Sequence, residues 1–421
     1  MEKKKVNLRD LKPDSETQHT HDDGHDHGDG SAFKTYISTI ISFVMLILFG
    51  NSFAQNPNVQ NILNDVKIDS MTFFVEQLTG EEPVIIGGNP DIITSRYKNN
   101  PGNEKAFQFI KEKFQAYGLQ VDSLQFSTTG KNLFGIKEGT LYPDEKFIIG
   151  AHYDNVSGVP GADDNASGTS AVMEAARVFS EYDFPYTIIF ALWDEEEQGL
   201  IGSDVYASSA AASNENILGY INMDMLGWDG NNDNVADIHV RPVASSLALS
   251  DKAMAANIDY TIGLSIHLVN PGISATDHAS FWNNGFSAIG INEEYDGDFN
   301  PFWHTPSDTL IQFNVPFYEK CAKLAFATLG ECAFSSTLGL NNITEQNKVN
   351  VYPNPGSNTI YIEAMETIES VVVYNTLGMQ VGNISLGDTS QVDTSSLSDG
   401  LYFFHIQTQN TTYSPKIIIQ R

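Results

Sequence analysis

Cysteine is scarce in this chain. Only Cys321 and Cys332 occur among 421 residues, and both fall in a stretch, 315–334, that predicts a single helix. A helical rise of about 1.5 Å per residue would separate them by roughly 16 Å, which is too far for a disulfide. The sequence therefore excludes a disulfide-stabilised scaffold and predicts two thiols in the protein core.

Positive charge is the second shortage. Lys and Arg total 23 against 53 Asp and Glu, which gives a formal net charge of −30. A surface this acidic repels nucleic acid and anionic membranes, so we expect no nucleic-acid partner. Hydrophobic residues make up 41% of the chain, a normal share that excludes wholesale disorder. Some of the acidic excess is available for metal binding, although a solvated surface explains most of it.

The apolar run 36–50 is shorter than the about 20 residues that a membrane helix needs. Together with Ser52-Phe53-Ala54 it predicts a signal peptide cleaved before Gln55, with an uncleaved anchor as the alternative. The leader ahead of it resembles the start of bacterial heavy-metal-transporting ATPases, which leaves metal scavenging as a further hypothesis. Its histidines are His19, His21, His25 and His27.

From Gln55 to about Phe334, short apolar runs alternate with amphipathic segments. The predicted strands are 147–151, 187–193 and 218–223, and the predicted helices are 103–117, closed by Gly118, and 167–179. This alternation predicts an α/β fold, with a mixed, mostly parallel sheet flanked by helices. After a polar linker, 337–348, the short β-type runs of 349–421 predict a small all-β sandwich of about 75 residues.

All three predicted strands end in side chains that can bind metals. His152 and Asp154 follow the first strand, Glu196 and Glu197 the second, and Asp224 the third. In open α/β sheets, ligands bind beyond the carboxyl ends of the strands. Imidazole and carboxylate suit zinc, and a pair of zinc ions needs a shared carboxylate.

Two further segments, Gly161–Gly168 (GADDNASG) and His304–Thr309 (HTPSDT), supply additional candidates. Alone, each feature has an ordinary explanation. An Asp-Asp loop is more typical of a helix N-cap, an acidic run of the surface, and a lone histidine of a loop. Their combination, in order and at strand ends, favours a metal site.

The stretch from His152 to Thr309 resembles the bacterial zinc aminopeptidases related to leucyl aminopeptidases, a family that also includes glutamate carboxypeptidases and transferrin receptor. The resemblance rests on five segments in the family's order: AHYDNVSGVPGADDNASG, ALWDEEEQGLIGS, YINMDMLG, TDHASF and FWHTPSDT. It implies an exopeptidase that holds two zinc ions. No ligand position departs from the family pattern, which disfavours a metal-free relative.

The resemblance also implies a role for each candidate residue. The roles are His152 and Asp224 for one zinc ion, Glu197 and His304 for the other, Asp164 for the bridge between them, Glu196 for the general base, and Asp154 for the carboxylate that supports the first site. Asp163 is the competing bridge. Asp164 is preferred because the family pattern places the bridge three residues after the glycine.

Other residues near these motifs have a less specific interpretation. Asp277-His278 is expected to form part of the pocket wall without binding metal. Nearby aromatic residues are expected either to line a pocket for apolar side chains or to pack in the core. These aromatics are Phe281, Trp282, Phe299, Phe302 and Trp303.

The C-terminal segment resembles the sorting domain of the type IX secretion system. The resemblance rests on Val351–Pro355 (VYPNP), Leu397–Tyr402 (LSDGLY) and the terminal Lys416–Arg421 (KIIIQR). A structural β-domain or carbohydrate-binding module is the alternative. Sorting would make the type IX machinery a partner and would export the protein across both membranes of a Gram-negative bacterium. Contact with a membrane would be transient, or through an uncleaved N-terminal anchor.

The predicted organisation is 1–54 leader and signal peptide or anchor, 55–94 N-terminal or propeptide-like segment, 95–336 zinc peptidase domain, 337–348 linker, and 349–421 sorting domain. For 55–94 the sequence leaves an ordered and a cleaved state open. The predicted function is a secreted di-zinc aminopeptidase that acts on peptides. Its alternatives are a single-zinc glutaminyl-peptide cyclase and an inert surface binding protein. A carboxypeptidase is disfavoured because only Arg241 offers a basic group near the motifs.

Overall fold

The computed structural model describes residues 55–335 and, in the C-terminal part, 349–352, 356–364, 367–375, 380–384, 391–408, 412–413 and 415–421. The predicted leader, signal peptide or anchor (1–54) and linker (337–348) lie outside these residues. Within the described ranges, no helix combines the length and apolarity needed to cross a membrane.

Helices occupy much of the first range. They are α1 (Pro57–Asp65), α2 (Ile68–Thr79), α3 (Pro101–Ala116), α4 (Gly168–Phe179), α5 (Ile201–Ala212), α6 (Ser246–Asp259), α7 (His278–Asn283) and α8 (Val315–Ala333), with an irregular turn at Ala162–Ser167 and a 3-10 turn at Leu310–Gln312. Cys321 and Cys332 are both buried free thiols on α8, as predicted.

The strands of this range are β1 (Val84–Ile86), β2 (Asn89–Asp91), β3 (Gln120–Gln125), β4 (Lys131–Lys137), β5 (Tyr142–His152), β6 (Tyr186–Trp193), β7 (Asn216–Met223), β8 (Val235–His239), β9 (Ser265–Val269) and β10 (Ala288–Glu293). β1 and β2 form a hairpin, and the other eight form one sheet in the order β3-β4-β6-β5-β7-β10-β8-β9. The pairs β6–β5, β5–β7, β7–β10 and β8–β9 are parallel, and the remaining three are antiparallel. The expected mixed, mostly parallel sheet is confirmed.

Strand order places the predicted ligands together. β5 lies between β6 and β7 and runs parallel to both. His152 pairs in register with Trp193, and Gly150 pairs with Asn222. Because the three strands end at the same edge, the residues that follow them converge at one site.

The N-terminal segment is ordered. Apolar side chains of α1 and α2, including Val59, Ile62 and Met71, belong to the main hydrophobic core. Gly330 of α8 allows α1 to approach closely, since a Cβ there would lie 2.9 Å from a methyl group of Val59. These two helices therefore share the core of the domain that carries the site.

The C-terminal part is all β. Its strands are β11 (Val349–Tyr352), β12 (Thr359–Ala364), β13 (Ile368–Asn375), β14 (Gln380–Ile384), β15 (Gln391–Asp393), β16 (Gly400–Thr408), β17 (Thr412–Tyr413) and β18 (Lys416–Ile419). One sheet has the order β11-β12-β15; the other has β14-β13-β16-β17, with β18 also paired to β16. Ile360 and Val392 from the first sheet share a core with Val371 and Phe404 from the second. The predicted small sandwich is confirmed.

Candidate metal centre

His152 ends β5 at the centre of the site. Its Nε2 atom lies 3.2 Å from Asp164 Oδ1 and 3.4 Å from Asp224 Oδ1. Its Nδ1 atom lies 3.4 Å from Asp154 Oδ1. A carboxylate on the far side of an imidazole fixes the orientation of the ring. The arrangement directs Nε2 towards the cleft and leaves Asp154 behind the ring.

His304 approaches from the opposite wall. Its Nε2 atom lies 3.0 Å from Asp164 Oδ2 and 3.1 Å from Glu197 Oε2. The two carboxylate oxygens of Asp164 therefore face two different histidines. A carboxylate in this position is available to two cations, one beside each histidine.

The acidic run after β6 divides into two pairs. Glu195 has a positive φ of 58°, which is in the left-handed region. Asp194 and Glu195 are held inside the protein, and Glu196 and Glu197 line the cleft. The backbone N–H groups of Glu196 and Glu197 donate to Asp154 at 3.1 and 3.4 Å. The donors to the first pair are Asn103, Lys131 and Tyr153 to Asp194, and Lys98, Ser127 and Thr129 to Glu195.

Asp163 points away from both histidines. Its Oδ1 atom accepts the backbone N–H of Gly227 at 2.7 Å, and its Oδ2 atom accepts the Asn300 amide at 2.7 Å. The Asp164–Asn165 peptide bond is cis. Of the two adjacent aspartates, the fold places Asp164 between the histidines.

The residues present fit the binding of metal cations. Two groups in the described part of the chain place their ligand atoms within 4.8 Å of one another: His152, Asp164 and Glu197, and His152, Glu196 and Asp224. Among the described residues, Glu197 Oε1 and Asp224 Oδ1 are buried without a hydrogen-bond partner. Each such atom costs about 1–3 kcal/mol unless something compensates it. Imidazole nitrogen with carboxylate oxygen is a donor set that suits zinc.

Electrostatics at the site reflect crowded carboxylates. Burial opposes protonation of His152, but Glu196 and Asp224 outweigh it and hold the pKa of His152 well above its ordinary value. Burial likewise opposes protonation of His304, yet its bonds to Asp164 and Glu197 raise its pKa to about 10. The surrounding carboxylates therefore favour the protonated, positively charged form of both imidazoles.

The pKa values of the two glutamates are raised as well, but here the main cause is burial. Burial and the neighbouring Asp164 raise the pKa of Glu197 to about 7. Burial is also the main cause of the well-raised pKa of Glu196, with Asp277 and Asp224 contributing. A carboxylate whose pKa is raised is a better proton acceptor, which is the property a general base needs.

The site opens into a cleft of about 630 Å³. One wall is the segment 273–276, and Leu200 and Met225 add apolar surface. Phe299 and Trp303 stand at the rim, 42% and 41% exposed. The Trp303 ring stacks on His304 with ring centroids 3.8 Å apart.

Some of the aromatic residues near the motifs line the cleft, and others pack in the core. Phe299 and Trp303 line the cleft, whereas Phe281 and Trp282 pack in a core cluster and Phe302 packs against Trp228. Asp277 and His278 are buried and do not line the cleft; the preceding segment 273–276 forms that wall. The sequence predicts no role for Arg96 or Asp308. Arg96 lies outside the quoted segments, and Asp308 stands in the segment FWHTPSDT without a predicted contact, so only the fold reveals what the two residues bind.

Two parts of the chain match known protein families. Residues 132–329 match peptidase family M28, and residues 350–420 match the secretion system C-terminal sorting domain. The first match contains all seven candidate metal and catalytic residues, and the second covers the β-sandwich.

Individual relatives and solved structures are also similar to the first of these parts. The chain is 27% identical over 273 residues to Aminopeptidase YwaD of Bacillus subtilis, covering 61% of this chain and 58% of that protein. It thus spans less than two thirds of that relative's length. The crystal structure of LapA from Legionella superposes with a TM-score of 0.57 at 25% identity, covering 66% of this chain and 76% of LapA.

A glutaminyl cyclase of Porphyromonas gingivalis shares the fold, with a TM-score of 0.51 at 16% identity. That likeness covers 64% of this chain and 99% of the cyclase. At this identity the similarity concerns the fold alone.

Proposed function

Because the chain contains a peptidase family M28 domain followed by a secretion sorting domain, we propose that it is an exported metallo-aminopeptidase that removes N-terminal residues from peptides. The observation that carries the proposal is the position of Asp164. Its two oxygens lie 3.2 and 3.0 Å from the Nε2 atoms of His152 and His304. One carboxylate placed between two imidazoles supports a two-zinc site.

The proposed ligands fall on two sides of Asp164. His152 and Asp224 would hold one zinc ion, Glu197 and His304 would hold the other, and Asp164 would be the carboxylate shared by both. Zinc in such a site lowers the pKa of water and polarises the scissile carbonyl group. Asp154 orients the His152 ring through Nδ1.

Glu196 is the proposed general base. It lines the cleft, and its Oε2 atom lies 3.9 Å from His152 Nε2. It takes the proton of the attacking water and passes it to the departing amine. The carboxylate of the adjacent Glu197 contacts His304, so we assign different roles to the two neighbouring glutamates.

A glutaminyl-peptide cyclase remains the main alternative because its fold is similar. A cyclase of that kind works with one zinc ion. The presence of His152 and Asp224 on one side of Asp164 and of Glu197 and His304 on the other favours the peptidase. A carboxypeptidase is less well supported, since the Arg241 side chain donates to Gly272 O and Ser274 Oγ and does not line the cleft. An inert binding protein would not need the intact Glu196.

The test is hydrolysis of a panel of aminoacyl-nitroanilides, with zinc content measured in parallel. We expect activity that a chelator abolishes and zinc restores, with two zinc ions per chain. Glu196→Gln should keep both ions and lose about 10²–10⁴-fold in kcat. Cyclisation of glutaminyl peptides with one zinc ion per chain would establish the alternative, and equal cleavage of amino-blocked peptides would exclude an exopeptidase.

Export is the second part of the proposal. The sorting domain at 350–420 supports passage through the type IX secretion machinery of a Gram-negative bacterium. Deletion of residues 349–421 should leave the enzyme inside the cell while purified peptidase activity persists. Equal release of the truncated and complete chains would contradict the sorting role.

A further inference from the structure

Arg96 is a fully buried arginine directly beneath the candidate metal centre, with no exposed surface. Within the described residues it forms no ion pair with a carboxylate. Its guanidinium group instead donates four hydrogen bonds to backbone carbonyl oxygens. The acceptors are Tyr153 at 2.8 Å, Leu78 at 2.8 Å, Pro160 at 3.0 Å and Gly161 at 2.6 Å. The planar guanidinium presents five N–H donors in a fixed geometry, so this contact set fixes the relative positions of its acceptors.

Two of these acceptors adjoin proposed zinc ligands. Tyr153 lies between His152 and Asp154, and Gly161 lies three residues before Asp164. Gly161 has a positive φ of 65°, and a Cβ there would lie 3.0 Å from Arg96 Nη2 and 2.5 Å from Asp164 O. The glycine is therefore needed for Arg96 to approach the loop. One side chain thus joins the β5 end to the loop that carries the bridging carboxylate.

A third proposed ligand segment is linked through the backbone of Arg96. The Asn103 amide donates to Arg96 O and to Asp194 Oδ1, both at 2.9 Å. Asp194 begins the acidic turn that presents Glu196 and Glu197. Arg96 therefore contacts the segments of Asp154 and Asp164 directly and is linked to the segment of Glu197 through Asn103.

Charge provides a second reason for an arginine at this position. Asp308, Asp154, Asp164 and Glu197 all favour the charged form of the guanidinium, although burial opposes it and lowers its pKa to about 10. A guanidinium that bonds only to carbonyl oxygens keeps its full positive charge available to carboxylates nearby. It offsets part of the repulsion among carboxylates without occupying an oxygen that a metal would use.

We infer that Arg96 is a positioning residue for the zinc site, and that through Leu78 it makes the helices α1 and α2 a permanent part of the active enzyme. The inference rests on the proposed metal site. Leu78 lies in the last turn of α2, so Arg96 contacts this helix and two ligand segments at once. Removal of 55–94 as a propeptide would take away one of the four acceptors and expose the arginine.

The test compares Arg96→Met and Arg96→Lys with Arg177→Met. Arg177 is the matched control because it also donates to a backbone carbonyl of the N-terminal helices, that of Asp65 at 2.6 Å, but it bonds Glu174 and no proposed ligand segment. Zinc affinity is measured by competition with a chromophoric chelator, with circular dichroism to confirm folding. We expect both Arg96 variants to bind zinc with an affinity at least about tenfold lower than that of the wild type. Arg177→Met should keep the wild-type zinc affinity and show a lowered Tm.

Folded Arg96 variants that bind zinc like the wild type would overturn the inference, as would an equal loss of affinity in Arg177→Met. If neither Arg96 variant folds, N-terminal sequencing of the active, zinc-loaded enzyme decides. A fully active enzyme that starts after residue 94 is incompatible with the inference, and retention of α1 and α2 supports it. Because zinc affinity is measured without substrate, a wild type whose zinc affinity depends on Arg96 but that cleaves no aminoacyl substrate would contradict the proposed function alone.

Discussion

Asp308 accepts the backbone N–H of Asp164 at 3.2 Å through Oδ2, although 144 residues separate the two in sequence. Its Oδ1 atom accepts the N–H of Asp163 at 2.8 Å. Asp308 lies four residues after His304, so one carboxylate joins the loop of the bridging residue to the loop of a proposed terminal ligand. This bond pair connects the two loops directly.

Asp308→Asn should therefore weaken the site. The amide would turn one N–H donor towards a backbone N–H, which leaves a buried donor unpaired at a cost of about 1–3 kcal/mol. We expect a zinc affinity and a kcat/KM about 10–100-fold lower, as for other groups that orient metal ligands. The exposed neighbour Ser307 supplies the control, Ser307→Ala, which should match the wild type. Wild-type zinc binding by Asp308→Asn would show that the loops hold their spacing without the carboxylate.

Asp277 predicts a pH dependence of the metal-free protein. Burial, with a further contribution from Asp224, raises its pKa from 3.8 to about 7. The protonated form is therefore favoured by folding, so this contribution to stability is complete below about pH 4 and is lost as the pH rises through 7. Asp277→Asn should remove this loss, raising the unfolding free energy at pH 8 by at most about 4 kcal/mol relative to pH 4.

Urea unfolding of the chelator-treated protein at both pH values measures the effect of Asp277. Asp204→Asn, at an exposed position of α5, controls for the change in net charge and should follow the wild type. Parallel pH profiles for the Asp277 variant and the wild type would assign the pH dependence to other carboxyl groups.

The two cysteines should be inert in the folded protein. Both are buried on α8, and burial raises the pKa of Cys332 to about 12 and that of Cys321 well above its usual range. Since the thiolate is the reactive form, a thiol reagent at pH 8 should label neither in minutes. Two thiols per chain should react in guanidinium chloride. Fast labelling of one thiol in the native enzyme would indicate local opening of α8.

Trp303 should set part of the substrate preference. It lies at the cleft rim, 41% exposed, where an apolar substrate side chain could cover it. Trp303→Ala should raise KM for leucyl and phenylalanyl substrates about tenfold and for alanyl substrates much less, because the larger side chains bury more apolar area. Trp303→Phe keeps an aromatic ring beside His304 and separates this effect from loosening of the histidine. An equal rise in KM for all substrates would show that the rim does not discriminate.

The part of the site that could be predicted from sequence is the part that the sheet arranges. His152, Glu197 and Asp224 follow apolar strands, and the parallel order of β6, β5 and β7 brings such strand ends together. The sheet and the C-terminal sandwich could be predicted for the same reason, since alternating apolar runs report strands directly. The length of β5 was underestimated because its first residues, from Tyr142, are polar and exposed.

Residues that act through backbone contacts could not be predicted. Arg96 and Asp308 bond to backbone carbonyl and N–H groups, which nearly every residue possesses, so the sequence does not indicate these contacts even though Asp308 stands in the segment FWHTPSDT. Asp277 and His278 lie behind the predicted wall because α7 begins at His278 and turns both side chains inward. Spacing alone does not decide between Asp163 and Asp164, because the local backbone determines which carboxylate faces the histidines. The family resemblance favoured Asp164.

The left-handed backbone at Glu195 lies in a segment that tolerates few insertions or deletions. The carbonyl oxygens of Asp194, Glu195 and Glu196 accept the N–H groups at the start of α5, so the acidic turn is fixed to the helix at its end as firmly as to the strand at its beginning. Insertion or loss of a single residue between β6 and α5 would shift this run by one position and move one carboxylate between the inward and the cleft-facing pair, while leaving the composition almost intact. For the four acidic residues 194–197, the position of each residue along the chain is therefore as strict a requirement as its chemical identity.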